Sequence, residues 1–250
     1  MGAPTDARRA LLERLFDHAP LFPPASLPPG DAVAEDERAR SSPEAALLGR
    51  FVCPASLLAD LPLGDRALSV VLDGPLRANG RVQAVELAYP EDEGALRAAV
   101  ALAPEAYVEV PLDGALESRL DRLAELAAGA KVRCGGAAVP AAEDLWRFLA
   151  GCRERGLPFK ATAGLHHALP SAGEHGFLCL LAAAVFAEPD ALEEEDASSF
   201  RLSADAFSWR ERSVGPADLL RARRDGLRAI GSCSFFEPVA ELRALGMLPG

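Results

Sequence analysis

Short apolar runs alternate with helix-like intervals along the chain from residue 51 onward. Most runs are rich in β-branched residues and are followed by proline, aspartate or glycine, whereas the intervals carry apolar residues at helical spacing. This alternation is typical of parallel βαβ units. Eight strands are predicted, at 51–53, 68–72, 82–89, 106–112, 131–134, 159–163, 200–206 and 227–230.

The number of predicted strands favours one fold within the α/β class. Eight strands in a chain of 250 residues suit a (β/α)8 TIM barrel, which usually takes about 250 residues. A doubly wound open sheet is the alternative, but no glycine-rich dinucleotide fingerprint follows an early strand. We assign residues 49–250 to the barrel and residues 1–48 to an N-terminal extension with a helix over 5–19 and a proline-rich connection. The extension either caps one barrel end or mediates contacts in a homo-oligomer.

Composition excludes several classes of partner. The net charge of −11 argues against nucleic acid and against an anionic membrane surface, since both need a basic footprint. The longest apolar run, 177–187, falls short of the ~20 residues of a membrane span. The N-terminus lacks the apolar region of a secretory signal. Five scattered cysteines without CxxC spacing fit reduced thiols. We therefore expect a cytoplasmic protein that acts on a small molecule.

Lysine is almost absent from this arginine-rich chain. There are 24 arginines but only two lysines, Lys131 and Lys160. Arginine stays protonated, whereas lysine can lose its proton in a desolvated site and attack a carbonyl group. The two lysines are therefore candidates for a role that arginine cannot take, with chance survival as the alternative.

The predicted strands also have a phase, because barrel strands alternate between the interior and the surrounding helices. Apolar residues that suit the helix layer are Val85, Val108, Val132 and Phe159. The same phase points the following residues into the barrel interior: Glu86, Glu109, Lys131, Arg133, Lys160 and Thr162. Burying charges costs several kcal/mol per ion. Such a cluster is either an active site or a structural salt-bridge network, and both interpretations stay open.

Three segments around the lysines resemble one enzyme family. The sequences KVRCGG at 131–136, AEDL at 142–145 and FKATAGL at 159–165 are similar to those of deoxyribose-phosphate aldolases, and the run at 52–54 is similar to that family's cysteine-containing early strand. The resemblance implies a (β/α)8 barrel and class I aldolase chemistry, in which a lysine forms a Schiff base. It implies that Lys131 is the nucleophile and that Lys160 is its partner. It implies no cofactor.

The chain departs from the family pattern at several positions. Arg133 and Cys134 stand where the family has threonine or serine, and His166 stands where it has arginine. The inward acid would be Glu86 or Glu109 rather than an aspartate. These differences suggest a related enzyme with a changed reaction.

Two further segments follow predicted strands, at the end where barrels keep their active sites. Histidines cluster after the strand that carries Lys160, and His166 is a candidate acid or base, with His167 beside it as a substrate-binding residue. The spacing matches no zinc signature, so no metal is predicted. After the last strand, Ser232 and Ser234 are candidates for phosphate or substrate binding, as is Thr162 within its strand.

Three functions remain open from the sequence. The first is an aldolase-like lyase that acts through a lysine Schiff base on a small aldehyde or ketone, with or without a phosphate group. The second is a non-covalent isomerase, epimerase or decarboxylase on the same barrel, with Lys160 and Glu109 as acid and base. The third is a non-catalytic barrel that binds a metabolite or a protein.

Overall fold

The computed structural model describes residues 6–76, 80–137 and 139–248. Within these ranges the strands are Phe16–His18 (β1), Leu48–Pro54 (β2), Leu68–Val71 (β3), Val82–Ala88 (β4), Glu105–Glu109 (β5), Gly129–Arg133 (β6), Phe159–Thr162 (β7), Phe200–Leu202 (β8), Phe207–Trp209 (β9), Arg212–Val214 (β10) and Leu227–Ser232 (β11). The α-helices are Ala7–Leu12 (α1), Pro29–Arg40 (α2), Glu93–Val100 (α3), Leu116–Glu125 (α4), Ala142–Glu154 (α5), Phe177–Phe186 (α6), Pro216–Asp225 (α7) and Phe236–Ala244 (α8).

Eight of these strands form a closed parallel barrel. Its order is β1, β2, β3, β4, β5, β6, β7 and β11, and β11 pairs with β1 to close the ring. Strands β8, β9 and β10 form a separate antiparallel sheet. The (β/α)8 barrel predicted from the sequence is confirmed.

The core lies between the barrel and its helices, and local sequence explains how the helices are placed. Asp92 caps α3 by accepting hydrogen bonds from the N–H groups of Gly94 and Ala95. Helix α6 is apolar on all sides and is correspondingly buried. Phe159 of β7 faces outward and packs edge-on against Phe148 of α5, with ring centroids 5.4 Å apart. None of the helices in the described ranges has the length and apolarity needed to cross a membrane.

The first barrel strand lies inside the segment that was predicted to be an extension. Phe16 pairs with Ile230 of β11 and with Leu48 of β2, so residues 16–18 complete the ring. The boundary at residue 48 is therefore wrong, and so is the helix over 5–19, because α1 ends at Leu12. The sequence pattern does not predict this strand, because it has only three residues and two of them, Asp17 and His18, are polar.

The segment 200–206 was predicted to be a barrel strand, and this prediction is wrong. Phe200–Leu202 pairs antiparallel with Phe207–Trp209 in the separate sheet. That sheet packs beside α6, where Phe186 contacts the rings of Phe207 and Trp209. Alternating apolar residues predict a strand, but they do not indicate which sheet it joins.

We predict that Phe16→Ala lowers the free energy of unfolding by about 3–5 kcal/mol, because it empties a fully buried site in the strand that closes the barrel. Its ring also packs edge-on against Phe177, at a centroid distance of 5.5 Å. Urea denaturation followed by circular dichroism measures the change. Phe236→Ala is the control, since Phe236 is exposed and its loss should change stability by only about 0.5 kcal/mol. Equal effects of the two substitutions would contradict the place of β1 in the core.

Candidate active site

A cavity of about 420 Å³ opens at the carboxyl end of the barrel strands. This is the end at which barrel enzymes keep their active sites. Its polar and charged lining residues are Glu86, Lys131, Arg133, Thr162, His166, Glu174, Ser232 and Cys233. Phe22, Pro23 and Pro24 form an apolar part of the wall. The sequence analysis predicted only a proline-rich connection at these residues.

Lys160 lies below this cavity, fully buried in the barrel interior. Its Nζ donates to Asp17 Oδ2 at 2.6 Å and to Glu86 Oε1 at 2.5 Å. Burial alone would lower the pKa of Lys160, but these two carboxylates raise it above its ordinary value. The ring of Tyr107 lies 5.5 Å from Nζ. These carboxylates therefore favour the protonated form of Lys160, which is held away from the solvent.

Lys131 is paired with Lys160 in the register of β6 and β7, but it has a different environment. Its Nζ lies 3.3 Å from Glu86 Oε2 and 3.1 Å from Glu109 Oε2. Unlike Lys160, it borders the cavity. The two lysine nitrogens thus contact different oxygens of the same carboxylate, that of Glu86. An amine at this position is accessible to a molecule in the cavity.

The charged cluster of the barrel balances its charges. Three cations face three carboxylates: Lys131, Lys160 and Arg133 with Asp17, Glu86 and Glu109. The prediction that Arg133 lies in the interior is wrong, because its side chain is about half-exposed at the mouth. Burial opposes ionisation of Glu86, yet Lys160 and Lys131 hold its pKa well below the ordinary range. Burial likewise opposes ionisation of Glu109, but Lys131 and Arg133 hold its pKa below the ordinary value. All three carboxylates therefore have a cation within 3.1 Å or less.

Two glycines bring the ends of β6 and β7 into contact. A Cβ atom on Gly135 would lie 2.5 Å from Gly164 Cα, so only glycine permits this approach. Gly164 also has a φ of +64°, which disfavours other residues. The contact keeps the strands that carry Lys131 and Lys160 together at the cavity mouth.

The histidine loop supplies one residue to the cavity. His166 lines it, and the Nδ1 atom lies 4.0 Å from Cys233 Sγ and 3.3 Å from Glu237 Oε2. The contact with Cys233, together with Glu237, raises the pKa of His166 to about 9 despite partial burial. His167 instead turns to Glu241, with Nδ1 3.2 Å from Oε1, and is not among the residues that line the cavity.

The residues predicted to bind a phosphate or substrate are divided. Thr162 and Ser232 line the cavity. Ser232 already donates its hydroxyl to the carbonyl oxygen of Ser234 at 2.6 Å. Ser234 lies outside the cavity lining, and its Oγ accepts from the N–H of Glu237 at 3.4 Å. Ser232 thus fits a binding role better than Ser234.

Two residues of the site were not predicted from the sequence. Asp17 binds Lys160, and its other oxygen accepts from the N–H of Arg50 at 2.7 Å. Ser69 donates its hydroxyl to Glu86 Oε1 at 2.6 Å. Asp17 was placed in a helix, so its inward direction was hidden. Ser69 follows the interior phase of its strand and could have been found by the same alternation.

Cysteines and metal ligands give no second centre. All five thiols are free, and burial raises the pKa of Cys53 and of Cys134 to about 12, which makes them poor nucleophiles. Across the described ranges, no three histidine, cysteine, aspartate or glutamate side chains form a group that could hold a metal ion.

No protein-family model matches the chain, and no curated protein matches it significantly.

We predict that Lys160→Met destabilises the fold by about 3–5 kcal/mol, because it leaves Asp17 buried without its ion-pair partner and Glu86 with Lys131 alone. Lys131→Met is the matched control. It should cost less, since Glu109 keeps Arg133 and is partly exposed. Chemical denaturation at neutral pH measures both variants. A larger loss for Lys131→Met would contradict the central position of Lys160.

We predict that the His166 imidazole titrates at about pH 9 in nuclear magnetic resonance spectra. Because this pKa is raised above the unfolded value of 6.5, the stabilisation from protonated His166 is complete below pH 6.5 and is lost as pH rises through about 9. Cys233→Ala should move the midpoint down toward 6.5, and Glu237→Gln should move it less. An unchanged midpoint in Cys233→Ala would exclude the sulfur contact as the main cause.

Proposed function

We propose that this protein is an aldolase-like lyase that forms a Schiff base between Lys131 and a small aldehyde or ketone. The observation that carries the proposal is a lysine in the wall of the cavity at the carboxyl end of the barrel, beside a second lysine that is buried and paired with two carboxylates. The resemblance of residues 131–165 to deoxyribose-phosphate aldolases supports the same reaction class.

The surroundings of the two lysines favour Lys131 as the nucleophile. A carbonyl carbon must approach the amine closely, and Lys131 borders the cavity whereas Lys160 is enclosed. Both carboxylates around Lys160 hold its proton, so its nitrogen lone pair is not available. Lys160 acts instead as a positioning residue, because it fixes the Glu86 carboxylate that contacts Lys131.

The carboxylates around Lys131 suit the intermediate of this reaction. The ammonium form of Lys131 and a carbonyl compound give a protonated imine and one water molecule, so the nitrogen carries one positive charge before and after. Glu109, 3.1 Å from Nζ, can accept a proton from the nitrogen and return it to the departing hydroxyl. Glu86 and Glu109 then stabilise the iminium ion as they stabilise the ammonium ion.

Bond cleavage next requires an electron sink and groups around the rest of the substrate. Glu86, a carboxylate of the lining, takes the proton of a hydroxyl group on the carbon β to the iminium carbon. That carbon leaves as a carbonyl compound, and the electron pair of the broken carbon–carbon bond converts the iminium ion into an enamine. Protonation of the enamine carbon and hydrolysis by one water molecule then release the second product and free Lys131. His166, protonated at neutral pH, lines the same cavity and can donate a proton. Thr162, Ser232 and Arg133 also line it and can bind substrate hydroxyl or phosphate oxygens. A cavity of about 420 Å³ limits the substrate to a small molecule.

A second candidate is a non-covalent isomerase, epimerase or decarboxylase. The observation that favours it is the pair of carboxylates within 3.3 Å of Lys131 Nζ, an arrangement that also suits proton transfer without a covalent step. In this reaction Glu86, which lines the cavity, would remove a proton next to the carbonyl group and Lys131 would stabilise the enolate oxygen. Glu109, the base suggested by the sequence, is not among the described residues that line the cavity. Lys160, the acid suggested by the sequence, is enclosed and does not border the cavity.

We predict that borohydride reduction in the presence of a small aldehyde or ketone traps an adduct on Lys131, identified by peptide mass spectrometry. Lys131→Arg should abolish trapping, because a guanidinium group keeps the charge but does not add to the carbonyl. Lys160→Arg is the matched control: it keeps the buried cation, adds volume that costs about 1–3 kcal/mol, and should leave an adduct on Lys131.

The same experiment separates the two candidates. An adduct on Lys160 would reverse the assignment of the nucleophile. If a broad panel of carbonyl compounds gives no adduct, the test becomes proton exchange in heavy water. Deuterium at the carbon next to the carbonyl group, without a trapped lysine, would replace the lyase by the non-covalent enzyme.

A further inference from the structure

A second cavity, of about 310 Å³, lies at the opposite end of the barrel from Lys131. It is formed where the strands begin, near α1 and α7. Six arginines line this floor cavity: Arg9, Arg14, Arg50, Arg223, Arg224 and Arg228. The acidic residues of its lining are Glu13, Asp17 and Glu105. The clustering is unexpected in a chain with a net charge of −11.

The ion pairs of the floor cavity do not neutralise all of its arginines. Arg9 is neutralised by Glu13 and Arg224 by Asp225, while Asp17 is already bound to Lys160. Arg50 and Arg228 share the single carboxylate of Glu105, at 2.8 and 3.1 Å. Four arginines therefore have one carboxylate between them: Arg14, Arg50, Arg223 and Arg228 with Glu105.

Two of these cations have neutral partners only. Within the described ranges Arg14 forms no ion pair, and its guanidinium group donates to Gln83 Oε1 at 3.0 Å. Arg223 donates to the backbone carbonyl oxygens of Leu11, Leu227 and Arg228. Burial, together with Arg228, lowers the pKa of Arg223 to about 10. An anion in the cavity would offset this uncompensated charge.

The floor cavity is separate from the site at the mouth. No described residue lines both cavities, and Lys160, which lines neither, contacts Glu86 of the mouth lining and Asp17 of the floor lining. A molecule bound at the floor therefore has no contact with Lys131. Its position is that of a binding site rather than of a second active site.

We propose that the floor cavity binds a phosphate ester or diphosphate through the guanidinium groups of Arg14, Arg50 and Arg228. A phosphoryl group carries two or more negative charges, which match the surplus of three positive charges at this site. Guanidinium forks also bind phosphate oxygens in pairs, more specifically than a lysine ammonium does. The volume of about 310 Å³ accommodates a phosphate with a small organic group.

The test is isothermal titration calorimetry with inorganic pyrophosphate as the probe, at low and at physiological ionic strength. We expect one equivalent to bind, with an affinity that falls about tenfold in Arg14→Gln and in Arg228→Gln, or ~1.4 kcal/mol each. Arg14→Gln is the gentler variant, because Arg14 is exposed and has one hydrogen bond. Arg212→Gln is the control. It removes an exposed arginine from the separate sheet and should change the affinity less than twofold.

A variant at the mouth distinguishes this site from a phosphate site for the proposed substrate. Ser232→Ala should leave the pyrophosphate affinity unchanged. If the affinity falls in Ser232→Ala but not in Arg14→Gln, the anion binds at the mouth and the floor proposal is wrong. Equal losses in Arg14→Gln and Arg212→Gln would reduce the effect to overall charge and would also overturn it. Neither result depends on whether the protein is a lyase.

Discussion

The ion pairs of Lys160 hold the barrel interior together. Barrel interiors are usually filled by branched apolar side chains, whereas here β7 is joined to β1 and β4 through Asp17 and Glu86. Removing these charges from water is costly, and the cost is offset only when every polar atom has a partner. The network meets this requirement, because Ser69 donates to Glu86 and the N–H of Arg50 donates to Asp17. The position of Lys131 depends on this framework through their shared contact with Glu86.

Most of the barrel could be predicted from the sequence, because apolar residues recur at the spacing of strands and helices and so indicate which side chains are buried. Seven of the eight predicted strands overlap strands of the closed barrel. The barrel strand that the sequence does not predict, Phe16–His18, is short and polar in two of its three residues. Its burial depends on partners elsewhere in the chain, such as Asp36 for His18 and Lys160 for Asp17. Residues 200–206 show the opposite difficulty. Their alternation predicts a strand, but pairing with Phe207–Trp209 is decided by a tight turn and by packing against Phe186.

The candidate site could be predicted to a similar extent and for the same reason. The phase set by Val132 and Phe159 points both lysines inward, and the structure places both there. The phase does not predict that Lys131 borders the cavity while Lys160 is enclosed. Lys160 is enclosed because Asp17 and Glu86 reach it from β1 and β4, and no local pattern gives those distances. His167 shows the same limit, since Glu241 draws it away from the cavity.

Charge balance distinguishes the two ends of the barrel. At the mouth, each cation of the charged cluster has a carboxylate, and Lys131 is the amine among them that borders the cavity. Because an iminium ion keeps that charge on the same nitrogen, the surrounding carboxylates need no rearrangement during a Schiff-base reaction. At the floor, Arg50 and Arg228 share Glu105 while Arg14 and Arg223 have neutral partners. The other two acidic residues of the floor lining, Glu13 and Asp17, are paired with Arg9 and Lys160, so the described residues leave a surplus of positive charge there. The mouth thus holds its charges in balanced pairs, whereas the described residues of the floor carry a surplus of positive charge.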